Sequence, residues 1–428
     1  MIVYQVKTDM KKSKKIFIGI SETSGFCGRL YCGLRQMGID CFFAELSPNK
    51  HNYTYKYEHD NRWTKLCRNN YNKKIITYNI VKFLIFIWAL FKFDTFVFVG
   101  CQSFWNNKEL WIYQILHKKT VMICLGSKTR LPYANGVEVN AKTFMANRNI
   151  NIASIIRKTH EKQKEIEIIE NNIDIFINLP AQAQLNKKKF ISLSYIGLPI
   201  DFEISEERKE EKDVSKIKIL HAASTVGCRG TKEFRQCITE LQKKYDIEYI
   251  ELSGESNYRV IEEIKHCDFI LDELWSDTPL ATFASEAAYY GKPAIVCGYF
   301  SEFYKQYYPK GSCPPSIFVR PENLNDALEE MICNIDLRNI LGEKAKKYVR
   351  KYMNCEAVAK RFYKAINGNI DDIWVIDPLR IGYIEGYGID RENQKEIIKI
   401  IYEKCGIEKM GISGNPSLTK RVMEIVNE

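Results

Sequence analysis

Residues 271–296 read LDELWSDTPLATFASEAAYYGKPAIV. An apolar strand runs into a loop holding Ser276, Asp277, Thr278 and Pro279. A helix then starts near Thr282 with Glu286 in its first turn, and a second apolar strand follows Gly291-Lys292-Pro293. A loop feeding a helix start aims backbone N–H groups and the positive end of the helix dipole at whatever lies above it. That combination binds anions, phosphate above all. Glu286 is placed to accept hydrogen bonds from sugar hydroxyls beside such a phosphate, or simply to complement the dipole. Upstream, Arg229 and Lys232 flank another helix start, where amides and two cations would converge on a pyrophosphate. Cations on a loop read equally well as solvated. His221, at a strand end, reads as a core histidine or as a site residue.

These residues need elements to hold them. Residues 15–20 read as a strand, 21–28 as a small-residue loop, the stretch to Met37 as a helix, and 38–43 as a second strand, the opening of a parallel α/β sheet. Gly25 and Gly28 do not make GxGxxG, so the dinucleotide fingerprint is absent. Residues 45–75 lack periodicity and read as a long loop with room for one helical turn. Residues 75–93 form an apolar helix whose nine-residue run from Phe83 to Phe91 is too short for a bilayer, which takes about 20. It reads as buried under the sheet, with a membrane-seeking face and snorkelling lysines as the alternative. Further strands fall at 95–99, 120–125, 174–178 and 194–201, with helices at 108–116 and 153–170. Ligands in such sheets lie at the carboxyl ends of strands, which makes Ser127 and Arg130 candidates beside Gly126. The charged run 203–216 reads as a linker. Strand and helix then alternate again from residue 218. The fold class is therefore α/β: two facing Rossmann-like lobes, residues 1–202 and 217–367, and a small helical appendage at 368–428. The appendage is too short for much of a core of its own. It packs back on the first lobe, oligomerises or binds a partner.

Composition narrows the class. The chain has 428 residues, 45% hydrophobic and 27% charged, which is that of a globular protein. Its 14 Cys are scattered singly, without metal-ligand spacing, and no signal peptide opens the chain. That predicts a reducing cytoplasm and no metal site. Residues 1–200 carry 30 Lys and Arg against 14 Asp and Glu, a net of +16; the remaining 33 against 39 give −6, and the sum is the +10 of the whole chain. A basic first half fits an anionic partner: acidic lipid, a phosphorylated acceptor or nucleic acid. Nucleic acid is least supported, because no RNP, KH, finger or helix-turn-helix pattern accompanies the charge.

Four segments then resemble one family. Residues 195–201, YIGLPID, are similar to a closing strand usually written PNGVD. Residues 220–231, LHAAS followed by Arg229-Gly230-Thr231, resemble the start of a donor domain, with Arg229 where Lys is usual. Residues 267–272, CDFILD, with 285–293, SEAAYYGKP, resemble the signature ending in an E-A-x-x-x-G-K-P run. Residues 319–328, VRPENLNDAL, resemble a later strand–turn–helix. Together they resemble GT-B glycosyltransferases, most nearly glycosyltransferase family 4 of bacterial surface polysaccharide or lipopolysaccharide type.

The resemblance implies a hexosyltransferase-type enzyme that moves a sugar from a UDP or GDP sugar to a glycan or lipid-linked acceptor. It implies retention of configuration and no metal, and no DxD occurs in the chain. Arg229, Lys232 and Glu286 would be catalytic, neutralising the leaving diphosphate and holding the ribose. Donor-binding residues would be His221, Ser224, Gly230, Thr231, Glu251, Asp272, Thr278, Ala281 and Thr282. Acceptor-binding residues would be Ser24, Gly25, Gly28, Gly126, Ser127 and Arg130. Glu286 matches the second Glu of the family's Glu-x7-Glu motif, whereas Thr278 stands where the first would be. That departure keeps a second reading open: a catalytically impaired GT-B protein acting as a nucleotide- or glycan-binding assembly subunit. The expected location is the cytoplasm, peripheral on the inner face of the plasma membrane.

Overall fold

Runs such as Ile16–Ile20 and Thr95–Val99 are apolar at almost every position and buried almost throughout, as strands covered on both faces by helices must be. The computed structural model describes residues 14–48, 61–200, 216–223 and 229–428. The expected linker falls almost entirely outside the described residues. In chain order the first part holds β1 (Ile16–Ile20), α1 (Phe26–Gln36), β2 (Cys41–Glu45), α2 (Arg62–Asn70), α3 (Ile75–Lys92), β3 (Thr95–Val99), α4 (Leu110–Ile115), β4 (Lys119–Ile123), α5 (Ala141–Asn147), α6 (Ile152–Asn172), β5 (Ile175–Asn178), β6 (Phe190–Ser192) and α7 (Leu193–Ile196). The second holds β7 (Ile217–Ala223), α8 (Thr231–Leu241), β8 (Ile247–Ser253), α9 (Asn257–His266), β9 (Phe269–Leu271), α10 (Thr282–Tyr289), β10 (Ala294–Cys297), β11 (Ile317–Val319), α11 (Leu324–Cys333) and α12 (Ile335–Tyr348). Last come α13 (Cys355–Ile366), β12 (Val375–Ile376), α14 (Arg391–Cys405) and α15 (Pro416–Asn427).

Two sheets result. The first has the order β12-β6-β5-β4-β3-β1-β2, parallel except for β12; the second, β11-β10-β9-β7-β8, is parallel throughout. Ile16 pairs with Cys41 on one side and Thr95 on the other, so the strand order reverses at β1. It reverses again at β7, between β8 and β9. Such switch points open crevices at strand carboxyl ends, and here both look into one cleft.

Three expectations change. The expected strand 194–201 is not one over its described residues 194–200: Ser192 caps the single turn α7 by accepting from the Ser194 N–H, which turns the chain out of the sheet after β6. The stretch before residue 75 contains a nine-residue helix, α2, closed by a reciprocal box between Asn61 and Thr64. The boundary at 367 is wrong, because α13 belongs to the first lobe. Its Val358, Ala359, Phe362 and Ile366 share a core with Leu30 and Leu34 of α1. At Gly33 the helices are so close that a Cβ would lie 2.0 Å from the Cys355 carbonyl oxygen.

Of the three options left open for residues 368–428, the structure takes the first: they pack back on the first lobe and need no core of their own. β12 extends the first sheet, and Ile397, Ile401, Leu418 and Val422 complete a core with Phe144, Ile155 and Ile166. Tyr299 and Phe300 from the second lobe enter that same core. The C-terminal segment therefore packs on the first lobe and touches the second.

Candidate active site

Between the lobes lies a cleft with a main cavity of roughly 440 Å³. A smaller cavity of roughly 160 Å³ adjoins it over the second sheet. Ser24, Arg229, Glu273, Ala281 and Thr282 line both, so the two form one continuous site. The second lobe supplies the end of β9 and the start of α10. Ala281, the N-cap of α10, has no side-chain acceptor, so the N-cap residue itself leaves that helix's first turn uncapped. An uncapped helix start bordering a cavity is an anion site.

Glu286 lies one residue past the first turn of α10, not within it, and borders the smaller cavity. It is 3% exposed. Arg29 of α1 reaches across from the first lobe and donates to its carboxylate at 3.0 Å, and Asn257 Nδ2 donates at 3.1 Å. A carboxylate this deep needs such partners. Arg229 is ion-paired with Glu273. Asp272, at the end of β9, is 4% exposed, and among the described residues its Oδ2 has no hydrogen-bond partner. Burial pushes its carboxyl up to about 7, opposed by Arg229 and reinforced by the charge of Glu286. The continuous site thus brings Arg29, Arg229, Asp272, Glu273 and Glu286 together beside the N-terminus of α10.

The other expected residues divide. Thr278, Ala281 and Thr282 line the main cavity, as do Ser24, Gly126 and Ser127 across from them. Gly25 is the left-handed N-cap of α1, with φ 74°; it is buried and lines neither cavity, between Ser24 and Phe26, which line the main one. Ser224 lies outside the described residues.

Seven expected site residues are corrected. Lys232 is exposed and lines neither cavity: Thr231 before it points inward, and one helical step turns 232 away. His221 is fully buried. Its Nδ1 lies 2.9 Å from the Leu271 carbonyl and its Nε2 2.9 Å from Thr231 Oγ1. The carbonyl can only accept, so Nδ1 carries the proton and Nε2 accepts from Thr231. Burial pushes the imidazole's pKa down, and the pair serves to fix the start of α8. Gly230 is required by packing: its φ is +84°, and a Cβ would sit 2.2 Å from that of Leu274. Glu251 pairs with Arg235 at 2.6 Å, away from both cavities. Gly28 is buried in α1, its N–H donating to Glu22 Oε2 at 2.9 Å. Arg130 is fully buried; it clasps Asp277 at 2.5 Å and donates to the Glu385 carbonyl at 3.1 Å. A guanidinium without solvent must be matched by a carboxylate, and this one ties the lobes together instead of facing an acceptor.

Four residues went unread in the sequence: Arg29, Asn257, Glu273 and Glu22. Arg29 had a signal, since it interrupts the apolar face of α1 between Phe26, Leu30 and Leu34. Glu22 accepts from the N–H groups of Thr23, Cys27 and Gly28, so it occupies the anion position at the start of α1, and burial lifts its carboxyl to about 7.

Two Rossmann-like lobes with their strand ends facing one cleft define the GT-B architecture, and the chain has it. No family model and no curated protein matches the sequence. Solved structures do resemble it. HepE of Anabaena in complex with UDP-glucose is 11% identical, with a TM-score of 0.47 over 83% of this chain and 99% of that one. The glycosyltransferase SnogD of Streptomyces nogalater is 10% identical, with a TM-score of 0.40 over 83% and 100%. A putative UDP-N-acetylglucosamine 2-epimerase from Listeria monocytogenes is 10% identical, with a TM-score of 0.47 over 88% and 99%. Likeness at this level fixes neither substrate nor reaction.

Proposed function

We propose that the protein is a glycosyltransferase that takes a sugar from a nucleoside-diphosphate donor held over the second lobe. One observation carries this reading: the uncapped start of α10, Arg229 and Arg29 converge with Asp272, Glu273 and Glu286 on one cleft between two nucleotide-type sheets. Cleaving a sugar–phosphate bond builds negative charge on the diphosphate and positive charge on the sugar ring. Fixed N–H groups and guanidinium ions stabilise the first, and carboxylates the second. Arg229 is the group to meet the diphosphate, leaving its partner Glu273 to the sugar. The acceptor side is the main cavity, walled by Ser24, Gly126, Ser127 and Thr278, and a cell-surface glycan or its lipid-linked precursor is the proposed acceptor class. Retention, metal independence and a UDP or GDP donor belong to the same proposal.

The test is calorimetric titration with UDP, GDP, CMP and ADP, followed by a donor-hydrolysis assay. Arg229→Ala should weaken diphosphate binding by about tenfold or more, the worth of one charge-assisted hydrogen bond. If Arg229→Ala and the parent titrate UDP and GDP alike, the site is misassigned. Thr278 favours the second reading, an assembly subunit that binds nucleotide without turning it over. Glu273 offers the cleft a carboxylate that position 278 lacks. Binding of a donor with no hydrolysis of any nucleotide sugar would decide for the subunit.

A further inference from the structure

Helix α3 carries a pattern that neither the fold nor the cleft requires. Tyr78, Val81, Ile85 and Ala89 turn inward and are buried. The opposite stripe, Ile76, Ile80, Phe83, Leu84, Trp88 and Phe91, recurs at helical spacing and is exposed, 74% at Ile76 and 88% at Phe91. Only a third of this 18-residue helix is buried, at a mean hydropathy of 1.7. α2 packs against it and adds exposed Trp63 and Leu66. A water-facing surface of this kind marks a binding face.

Its charge names the partner. Residues 61–93 contain seven Lys and Arg and no Asp or Glu. Arg62, Lys65, Lys73, Lys74 and Lys92 are exposed beside the apolar stripe. Lys92 Nζ lies 5.0 Å from the Trp88 ring, its stem along the apolar surface and its ammonium at the edge, the posture of a lysine at a lipid interface. We infer that α2 and α3 form a docking face for an anionic lipid surface, with α3 lying in the interface. The inner face of α3 is held in the lobe's core, so the helix lies along the surface and does not cross it. α3 links the parallel strands β2 and β3, so it runs opposite to them and its N-terminal end lies at the cleft edge of the sheet. A docked chain therefore brings the cleft rim to the lipid surface. The docking does not depend on the transfer reaction.

The full-length chain is sedimented with sucrose-loaded vesicles of phosphatidylcholine alone, or with roughly one third phosphatidylglycerol, where each basic residue contributes about fivefold in affinity. The parent should pellet with the anionic vesicles only, and salt should release it. Ile80→Ser with Phe91→Ser, both exposed, should lose at least about tenfold of that binding, with an unchanged melting temperature and unchanged UDP titration. Lys73→Gln with Lys74→Gln should lose about 25-fold, two such contributions. Equal pelleting of parent and Ile80→Ser/Phe91→Ser overturns the assignment. So does a dimer in light scattering, without vesicle binding, that the same variant abolishes; the face would then bind a second copy. Unaltered UDP binding in a variant that no longer pellets separates this result from any failure of the cleft assignment.

Discussion

At the residue scale, Glu286 changes character between sequence and structure. Read from its spacing, it accepts from sugar hydroxyls beside a phosphate or complements the helix dipole. In the fold it is half of a buried pair with Arg29, side chains 5% and 4% exposed. Glu286→Ala should therefore cost about 3 kcal/mol or more in urea denaturation, because Arg29 is left charged and buried. Adding Arg29→Met should recover most of that loss, and a double variant no more stable than Glu286→Ala would refute the coupling. Asp272 gives a pH prediction. Its folded carboxyl titrates near 7 instead of 3.8, so between those values the folded state holds a proton that the unfolded state has released. Stability contributed by that proton is complete below about pH 4 and is lost as pH rises through about 7, a change of up to about 4 kcal/mol. Asp272→Asn should flatten the slope of stability from about pH 4 to 7 and raise stability at the alkaline end. Diphosphate binding should weaken as pH rises through about 7 in the parent and less in Asp272→Asn. The start of α10 and the cleft positions of Thr278 and Thr282 were legible because a loop–helix–strand pattern is local. The partners of Arg29 and Arg130 were not, since Glu286 and Asp277 lie 257 and 147 residues away along the chain.

At the element scale, most strands of both lobes could be read because parallel strands are continuous apolar runs; β6 and β12, three and two residues long, are too short to show one. α2 was missed because Asn61 and Thr64 box its start without the acidic residue usually sought three positions after a cap. Asn61→Ala should lower stability by about 1 kcal/mol, visible as a reduced urea midpoint. α13 was misplaced for a different reason: amphipathic spacing shows that a helix packs, never which sheet it covers. Gly33 is the residue that lets it pack on α1. Gly33→Ala puts a methyl against the Cys355 carbonyl and should cost about 1–3 kcal/mol, with the loss read in thermal melting. If Gly33→Ala melts with the parent, the crossing is looser than drawn.

At the scale of the molecule, the C-terminal segment is structural. Arg391 joins Glu302 of the second lobe at 2.5 Å, and Tyr133 of the first donates to the Met410 carbonyl at 2.9 Å. Ending the chain at Asp377 should uncover Phe144, Ile155 and Ile166 and deprive Arg130 of the Glu385 carbonyl, giving strong dye binding and aggregation. A well-behaved monomer of that length would contradict the shared core. The chain also crosses between lobes twice side by side, where the Ile200 N–H meets the Met353 carbonyl at 2.7 Å. Those crossings, the Arg29–Glu286 and Arg130–Asp277 pairs and the C-terminal helices bind the halves at several separated places. A jaw fastened along so much of its margin swings little. Ligands must then thread in from its unfastened rim, and turnover would be governed by exchange of guanidinium partners within a standing cavity.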